Sequence, residues 1–406
     1  MSEWKETTLR EAVLKANTGA DAIQKAPIVN YDSGIRCLRI QDVSNSHDLK
    51  KWGFCEITQD NYKRFYLKQG DILIARTGNT IGVNIYIEQD LKAVFNNGLI
   101  RLNINKEKFI PKYIYYLFQT YNFKGHINSI AYGTSTQPNM QIESLLSFNF
   151  NYPPVNVQEK IVNLFSTLDK KIDNLRSQNE TLEKIAQTLF KHWFIDFEFP
   201  NDEGKPYKSS GGAMVASELG DIPEGWRVGT IGEIMTLNYG KSLITDNRVN
   251  GQYLVVGSSG VVGTHNEYLV KAPGIVIGRK GTIGKVIWLE NNFYPIDTTF
   301  FVTDKLGCND LYFHYFILKN QQFERLISDS AVPGLNRDMA YSVEIIIPNI
   351  SLINNFSLLA RSLFNKKANN ENQIQTLTKT RDALLPKLMS GQIRVKEVES
   401  LIEEVK

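Results

Sequence analysis

The 406-residue chain has only three cysteines, Cys37, Cys55 and Cys308. They are far apart, odd in number and form no Cys-x-x-Cys pair, which argues against a disulfide framework and a zinc ribbon. Such usage fits a reduced, cytoplasmic compartment. No apolar run approaches the ~18 residues of a membrane span. The polar start, Met1-Ser2-Glu3-Trp4-Lys5-Glu6, lacks the form of a signal peptide. Charge of one sign is also scarce, with a formal net of only +3. Residues 1–150 carry 18 Lys/Arg against 14 Asp/Glu, and residues 226–349 carry 11 against 11. Nucleic-acid binders often show a larger basic excess, so charge alone leaves that function open.

Enzyme signatures are missing too. Gly278-Arg-Lys-Gly-Thr-Ile-Gly284-Lys285-Val286 has the look of a phosphate loop. Its glycines are one residue too far apart, and Val286 stands where a Ser/Thr would hold magnesium. Asn151-Tyr-Pro-Pro154 approaches the Asn-Pro-Pro-aromatic motif of amino-methyltransferases, but Tyr152 breaks the order. No Gly-x-Gly-x-x-Gly opens a helix. The histidines (His47, His126, His192, His265 and His314) stand singly, without metal-ligand spacing. Asp297, in a strand-like apolar run, reads as a satisfied structural carboxylate. Catalytic and metal residues are expected to be absent.

What is present is repetition. Hydrophobic residues make up 42% of the chain, enough to bury the cores of two or three domains. Trp4-Lys-Glu-Thr-Thr-Leu-Arg-Glu-Ala-Val13 resembles Trp226-Arg-Val-Gly-Thr-Ile-Gly-Glu-Ile-Met235. Gly70-Asp-Ile-Leu-Ile-Ala-Arg-Thr-Gly-Asn-Thr-Ile-Gly82 resembles Pro273-Gly-Ile-Val-Ile-Gly-Arg-Lys-Gly-Thr-Ile-Gly284. Gln137-Pro-Asn-Met140 parallels Asn336-Arg-Asp-Met339, and an apolar strand then runs into Pro153 or Pro348. The order is kept while the offsets fall from 222 to 203 to 195, so elements persist and loops differ.

Each half ends in a helical stretch. Ile161, Leu164, Leu168, Leu175, Leu182, Ile185 and Leu189 recur at three- and four-residue steps, the period of a coiled-coil seam. Pro153-Pro154 bars an earlier start and Pro200 a later end. Phe356, Leu359, Leu363, Ile374, Leu377 and Leu384 form a similar run, with a polar middle at Lys366, Lys367, Asn369 and Asn370. Polar seam residues cost stability but set register. Runs of about 35–40 residues would extend roughly 50–60 Å, longer than the face of one ~150-residue domain, so the two are expected to pair with each other. The division is 1–154, first reading domain; 155–200, central helix; 201–225, a Gly/Ser/Lys/Glu-rich linker; 226–349, second reading domain; 350–395, distal helix; 396–406, tail.

Two similar domains held on paired helices suit the reading of two half-sites on one duplex. Arg76, Thr77, Asn79 and Thr80 form one candidate loop, because Arg can take guanine O6 and N7 and Asn can take adenine N6 and N7. Arg279, Lys280 and Thr282 are the counterparts. Thr134, Ser135, Thr136 and Asn139 form a second loop, matched by Asn336 and Arg337. The arginines could equally anchor phosphates, which position without specifying. The bland alternative is a pair of polar turns whose glycines serve only backbone geometry.

The most telling strings are Leu189-Phe-Lys-His-Trp-Phe-Ile-Asp-Phe-Glu-Phe199, Leu384-Leu-Pro-Lys-Leu-Met-Ser-Gly-Gln-Ile-Arg-Val395 and Ile222-Pro-Glu-Gly-Trp226. With them the chain, over essentially its whole length, resembles the specificity subunits of type I restriction–modification systems. The resemblance implies an α+β architecture: two similar α/β target-recognition domains separated by two long antiparallel coiled-coil helices, with pseudo-twofold symmetry. It implies a non-catalytic subunit that binds a bipartite, non-palindromic sequence in double-stranded DNA. It also implies docking of two methyltransferase subunits and of restriction/translocase subunits, which would carry S-adenosylmethionine, ATP and Mg; no cofactor is expected on this chain. Leu168, Leu175, Leu182, Leu189, Trp193, Leu363, Leu377 and Leu384 are the candidate spacer and docking residues. The rival reading is a coiled-coil protein-interaction adaptor without DNA specificity.

Overall fold

The computed structural model describes residues 4–21, 23–45, 48–131, 139–308, 310–326, 334–395 and 397. The chain divides into two compact units, Met1–Asp173 with Gln375–Lys406, and Asn174–Ile374. Each holds one head and a section of both long helices.

In the first head, Lys5–Thr8 pairs antiparallel with Asn149–Tyr152. A four-stranded sheet runs in the order Val13–Thr18, Leu99–Ile104, Ile72–Ala75, Asn84–Tyr86. In the second head, Arg227–Thr230 pairs with Glu344–Ile347, and the sheet order is Met235–Tyr239, Thr299–Asp304, Gly274–Gly278, Val286–Leu289. Ile72–Ala75 and Gly274–Gly278 are buried at every position, which explains why both read as unbroken apolar strings rather than alternating ones. Each head adds a further sheet containing one parallel pair, Arg36–Leu38 with Leu91–Phe95 and Tyr253–Gly257 with Phe293–Pro295.

Main-chain hydrogen bonds repeat almost one for one. Leu9 N–H donates to Phe148 O (2.8 Å) as Ile231 does to Val343 O (3.0 Å). Asn105 N–H to Ala12 O (2.8 Å) matches Lys305 N–H to Ile234 O (3.0 Å). Gly19 N–H to Leu99 O (3.3 Å) matches Gly240 N–H to Thr299 O (3.1 Å). A Cβ at Gly19 would lie 2.3 Å from the carbonyl oxygens of Phe95 and Asn96, and one at Gly240 would lie 2.2 Å from that of Ile296. Only glycine admits that backbone approach. The two heads therefore share one topology in these elements, while the further sheet has five strands in the first and three in the second.

The long helices span Val155–Phe194 and Ile350–Met389. Inside the first unit, Arg381 Nη1 donates to Asp169 Oδ1 at 3.0 Å. Inside the second, Asn370 Nδ2 donates to Asn179 Oδ1 at 2.9 Å and Lys367 Nζ to Glu183 Oε2 at 2.6 Å. Partner numbers fall along one helix as they rise along the other, so the pairing is antiparallel.

The seam keeps Ile161, Leu175, Phe356 and Ile374 of the expected pattern but not its other members. On the first helix Ile161, Phe165, Ile172, Leu175, Asn179, Ala186, Phe190 and Trp193 are buried. Leu164, Leu168, Leu182 and Leu189 are only half-buried, and Ile185 is 48% exposed. On the second, Ile353, Phe356, Ala360, Phe364, Asn370, Ile374, Leu385 and Leu388 are buried. Leu363, Leu377 and Leu384 lie half-buried at the edge, and Leu359 is exposed. The aromatic residues win because the helices pack against the heads as well as each other. Phe190 lies against Phe313 and Phe316, and Phe165 against Tyr116. Trp193 faces this interior rather than an open docking surface.

Each head also hands a tyrosine to an acid on the first helix. Tyr116 donates to Asp169 (2.7 Å) and Tyr315 to Glu183 (3.0 Å). Residues 201–225, read as a linker, are folded: Met214–Val215 pairs with Ile222–Pro223, and Phe199 stacks between Tyr207 and Trp226.

Candidate nucleic-acid interface

In the first head the strand Ile72–Ala75 turns back at Arg76–Val83. Gly82 N–H closes the turn on Ala75 O at 2.9 Å, and Gly78 adopts φ +80°, where glycine is favoured. The second head repeats this with Gly284 N–H on Gly278 O (2.9 Å) and Gly281 at φ +81°. The Arg-x-Gly step repeated in both strings is thus a turn requirement. It places Arg76 and Arg279 at the same point, each just beyond a buried strand.

A second segment closes on each turn. Met140 N–H donates to Arg76 O, and Leu335 N–H to Arg279 O, both at 2.8 Å. Thr77 bridges Asn139, and Lys280 bridges Gly334. The structure thus joins the two candidate loops in both heads, but the assumed match of Met140 with Met339 is off by four residues. Met140 corresponds to Leu335, at the offset of 195 that also joins Pro153 to Pro348. Both are buried just before a short helix, Ile142–Leu146 or Arg337–Tyr341. Asn336 consequently falls opposite Gln141, at the helix N-cap. Its Oδ1 accepts from Asp338 N–H (2.8 Å) and Met339 N–H (3.1 Å), so that oxygen is committed to capping.

The side chains differ between heads. Arg76 donates through Nε (3.3 Å) and Nη2 (3.0 Å) to Asn139 Oδ1. Arg279 donates to Asp297 O at 3.2 Å and lies over the Tyr239 and Phe300 rings. Gly78, Asn79, Gly281 and Thr282 are exposed, while Thr77, Thr80 and Lys280 are half-buried. Thr134, Ser135 and Thr136 lie outside the described residues. Among the described residues, Arg76, Arg279, Lys280 and Arg337 pair with no carboxylate. Tyr239 was missed by the sequence reading. Strand alternation with buried Met235 and Leu237 assigns it to the core, yet it lies at the sheet's end and is 47% exposed.

One cluster has the composition of a hydrolytic site. His314 Nε2 lies 2.9 Å from Asp304 Oδ1, and Cys308 N–H donates to Asp304 Oδ2 at 2.8 Å. Burial and the Asp304 and Asp310 charges push the Cys308 thiol up to about 12, so it stays protonated. A nucleophilic cysteine needs the opposite shift. His314 Nε2 also approaches Ile234 O (3.1 Å), tying its helix to the short helix Ile231–Ile234. Among the described residues no group of three or more His, Cys, Asp or Glu could hold a metal ion. No described helix is long and apolar enough to cross a membrane.

The model of the type I restriction modification DNA specificity domain matches residues 1–184 and again residues 223–352. The chain belongs to this family of specificity subunits. It is 32% identical to the type I restriction enzyme MjaIX specificity subunit of Methanocaldococcus jannaschii, covering 73% of this chain and 72% of that one. It is 24% identical to the HindI specificity subunit of Haemophilus influenzae, covering 97% and 100%. Its fold resembles the crystal structure of the type I restriction-modification S subunit from M. genitalium, with a TM-score of 0.58 at 18% identity and 96% coverage of each. The two matched segments of the specificity-domain model each begin near one tryptophan-led head and end within or at the start of a long helix.

Proposed function

We propose that this specificity subunit reads a bipartite, non-palindromic sequence in double-stranded DNA, one half-site per head, and is itself non-catalytic. The observation that supports this most is a main-chain framework repeated almost one for one beneath differently furnished turns. Equal frames put readers at equivalent places, and unequal side chains give unequal half-sites. Arg76, Arg279 and Lys280, which pair with no carboxylate among the described residues, suit DNA contact, and the protonated Cys308 beside Asp304 argues against nucleophilic chemistry there.

Two methyltransferase subunits and restriction/translocase subunits supply the reaction, with S-adenosylmethionine, ATP and Mg bound on them, in the cytoplasm. Exposed Ile185, Ile350, Leu358 and Leu359 on the long helices support docking there. The paired helices set the spacer between half-sites. Mapping methylated adenines in host DNA should yield a split motif. Matched four-residue insertions near Ser177 and Asn372 should change the spacer and leave both half-sites intact. An unsplit motif, or a spacer that ignores the insertions, would overturn the reading.

A further inference from the structure

Tyr239 carries two guanidinium groups on one ring. Arg279, from the turn after Gly274–Gly278, lies 4.9 Å from its centroid, and Arg337, from the short helix, lies 5.1 Å away. Phe300 backs the ring at 4.9 Å. Each cation–π contact contributes ~0.5–2 kcal/mol, but two cations sharing one ring also repel each other. Neither is neutralised by a carboxylate among the described residues, and Arg337 Nε is buried without an acceptor there. Such an arrangement leaves two positive charges without a counter-charge among the described residues, so it calls for an electronegative partner from outside. Arg279 spends one Nη1 donor on Asp297 O (3.2 Å), while a guanidinium carries five N–H donors in all. Two guanidinium groups gathered on one ring suit the O6 and N7 acceptors that guanine offers in the major groove.

We propose that Tyr239 is the positioning residue for the second half-site, holding Arg279 and Arg337 as a paired reader of guanine. This rests on the proposed DNA-reading function. Among the described residues the first head has no such pair. In its ladder Thr18 stands where Tyr239 does, opposite Ile100 as Tyr239 is opposite Phe300. Ile142 opens the short helix that Arg337 opens in the second head. The device therefore belongs to one half of the target only.

The test uses the full-length subunit assembled with its methyltransferase subunits, acting on a random duplex library whose methylated adenines are sequenced. If the wild-type complex yields no split motif, the general reading fails before the clamp is tested. Given a split motif, guanine must occur in the second half-site. Tyr239→Phe, which keeps the ring, should leave the profile unchanged. Tyr239→Leu should keep the first half-site and lose discrimination at guanine in the second by about tenfold. Should Tyr239→Leu fail to fold, Arg337→Ala carries the same expectation. The proposal is overturned by a second half-site without guanine, by full discrimination in the leucine or Arg337 variant, or by equal loss on every sequence.

Discussion

The two heads hold equivalent arginines in opposite ways. In the first, Asn139 binds Arg76 from the side, and the ladder position beside it is Thr18. In the second, Gly334 replaces that asparagine, and Tyr239 replaces the threonine as a platform beneath Arg279. One holder is lost where another is gained. Main-chain bonds specify the turn without reference to side chains, so the supports could diverge while the turn stayed fixed. An arginine tied by an amide and one laid on a ring present different edges, which is how one frame can serve two targets.

The comparison can be broken first at the cores. Phe165 and Phe190 occupy matching roles on the first long helix, each almost fully buried in its own unit. Phe165→Ala or Phe190→Ala should cost about 3–5 kcal/mol, opening the first unit and the second respectively. Hydrogen exchange followed by mass spectrometry reads this, and equal opening of both units by either change would contradict two separate cores. Next come the arginines. Arg76→Ala should weaken selectivity in one half-site and Arg279→Ala in the other, each by ~1–3 kcal/mol. Competitive methylation on half-site mutants measures it, and a uniform loss would mark a phosphate contact instead.

The smallest effect sharpens the contrast between Glu183 and its surroundings. Burial raises its pKa, but hydrogen bonds from Lys319 and Lys367 outweigh that and hold it at about 2, below the ordinary 4.5. A depressed carboxyl stabilises the fold above its unfolded pKa and loses that contribution as pH falls toward the folded value. Glu183→Gln should therefore cost about 1 kcal/mol near neutrality, given partial exposure. The gap to wild type should shrink between pH 4.5 and 2. Melting curves across that range check it, and a constant gap would remove the ion pair from the account.

Most of the fold was legible because glycine, arginine and apolar strings in both halves mark the same turn after the same buried strand. The match at Met140 failed because it followed residue names, whereas the physical requirement is any large apolar side chain buried before the helix, which Leu335 meets. The helix seam was only partly placed, with Ile161, Leu175, Phe356 and Ile374 buried as expected, for a related reason. Leucine spacing ignores Ala186, Phe190 and Asn179, whose burial depends on what the heads bring to the helix. Tyr239 was illegible because alternation says which way a strand residue faces, not where the sheet ends. Asn336 was read as a base contact, although Asn before a short helix is equally a cap.

The first unit contains residues from Gln375 onward, with Leu385 and Leu388 in its core and Gly391 against the Trp4 ring. The second unit is a single uninterrupted stretch. During synthesis, then, the head made first waits with an open hydrophobic flank until the whole of the other has emerged, and the head made second is the first able to close. Truncation within the distal helix would consequently injure the domain farthest from the cut in sequence.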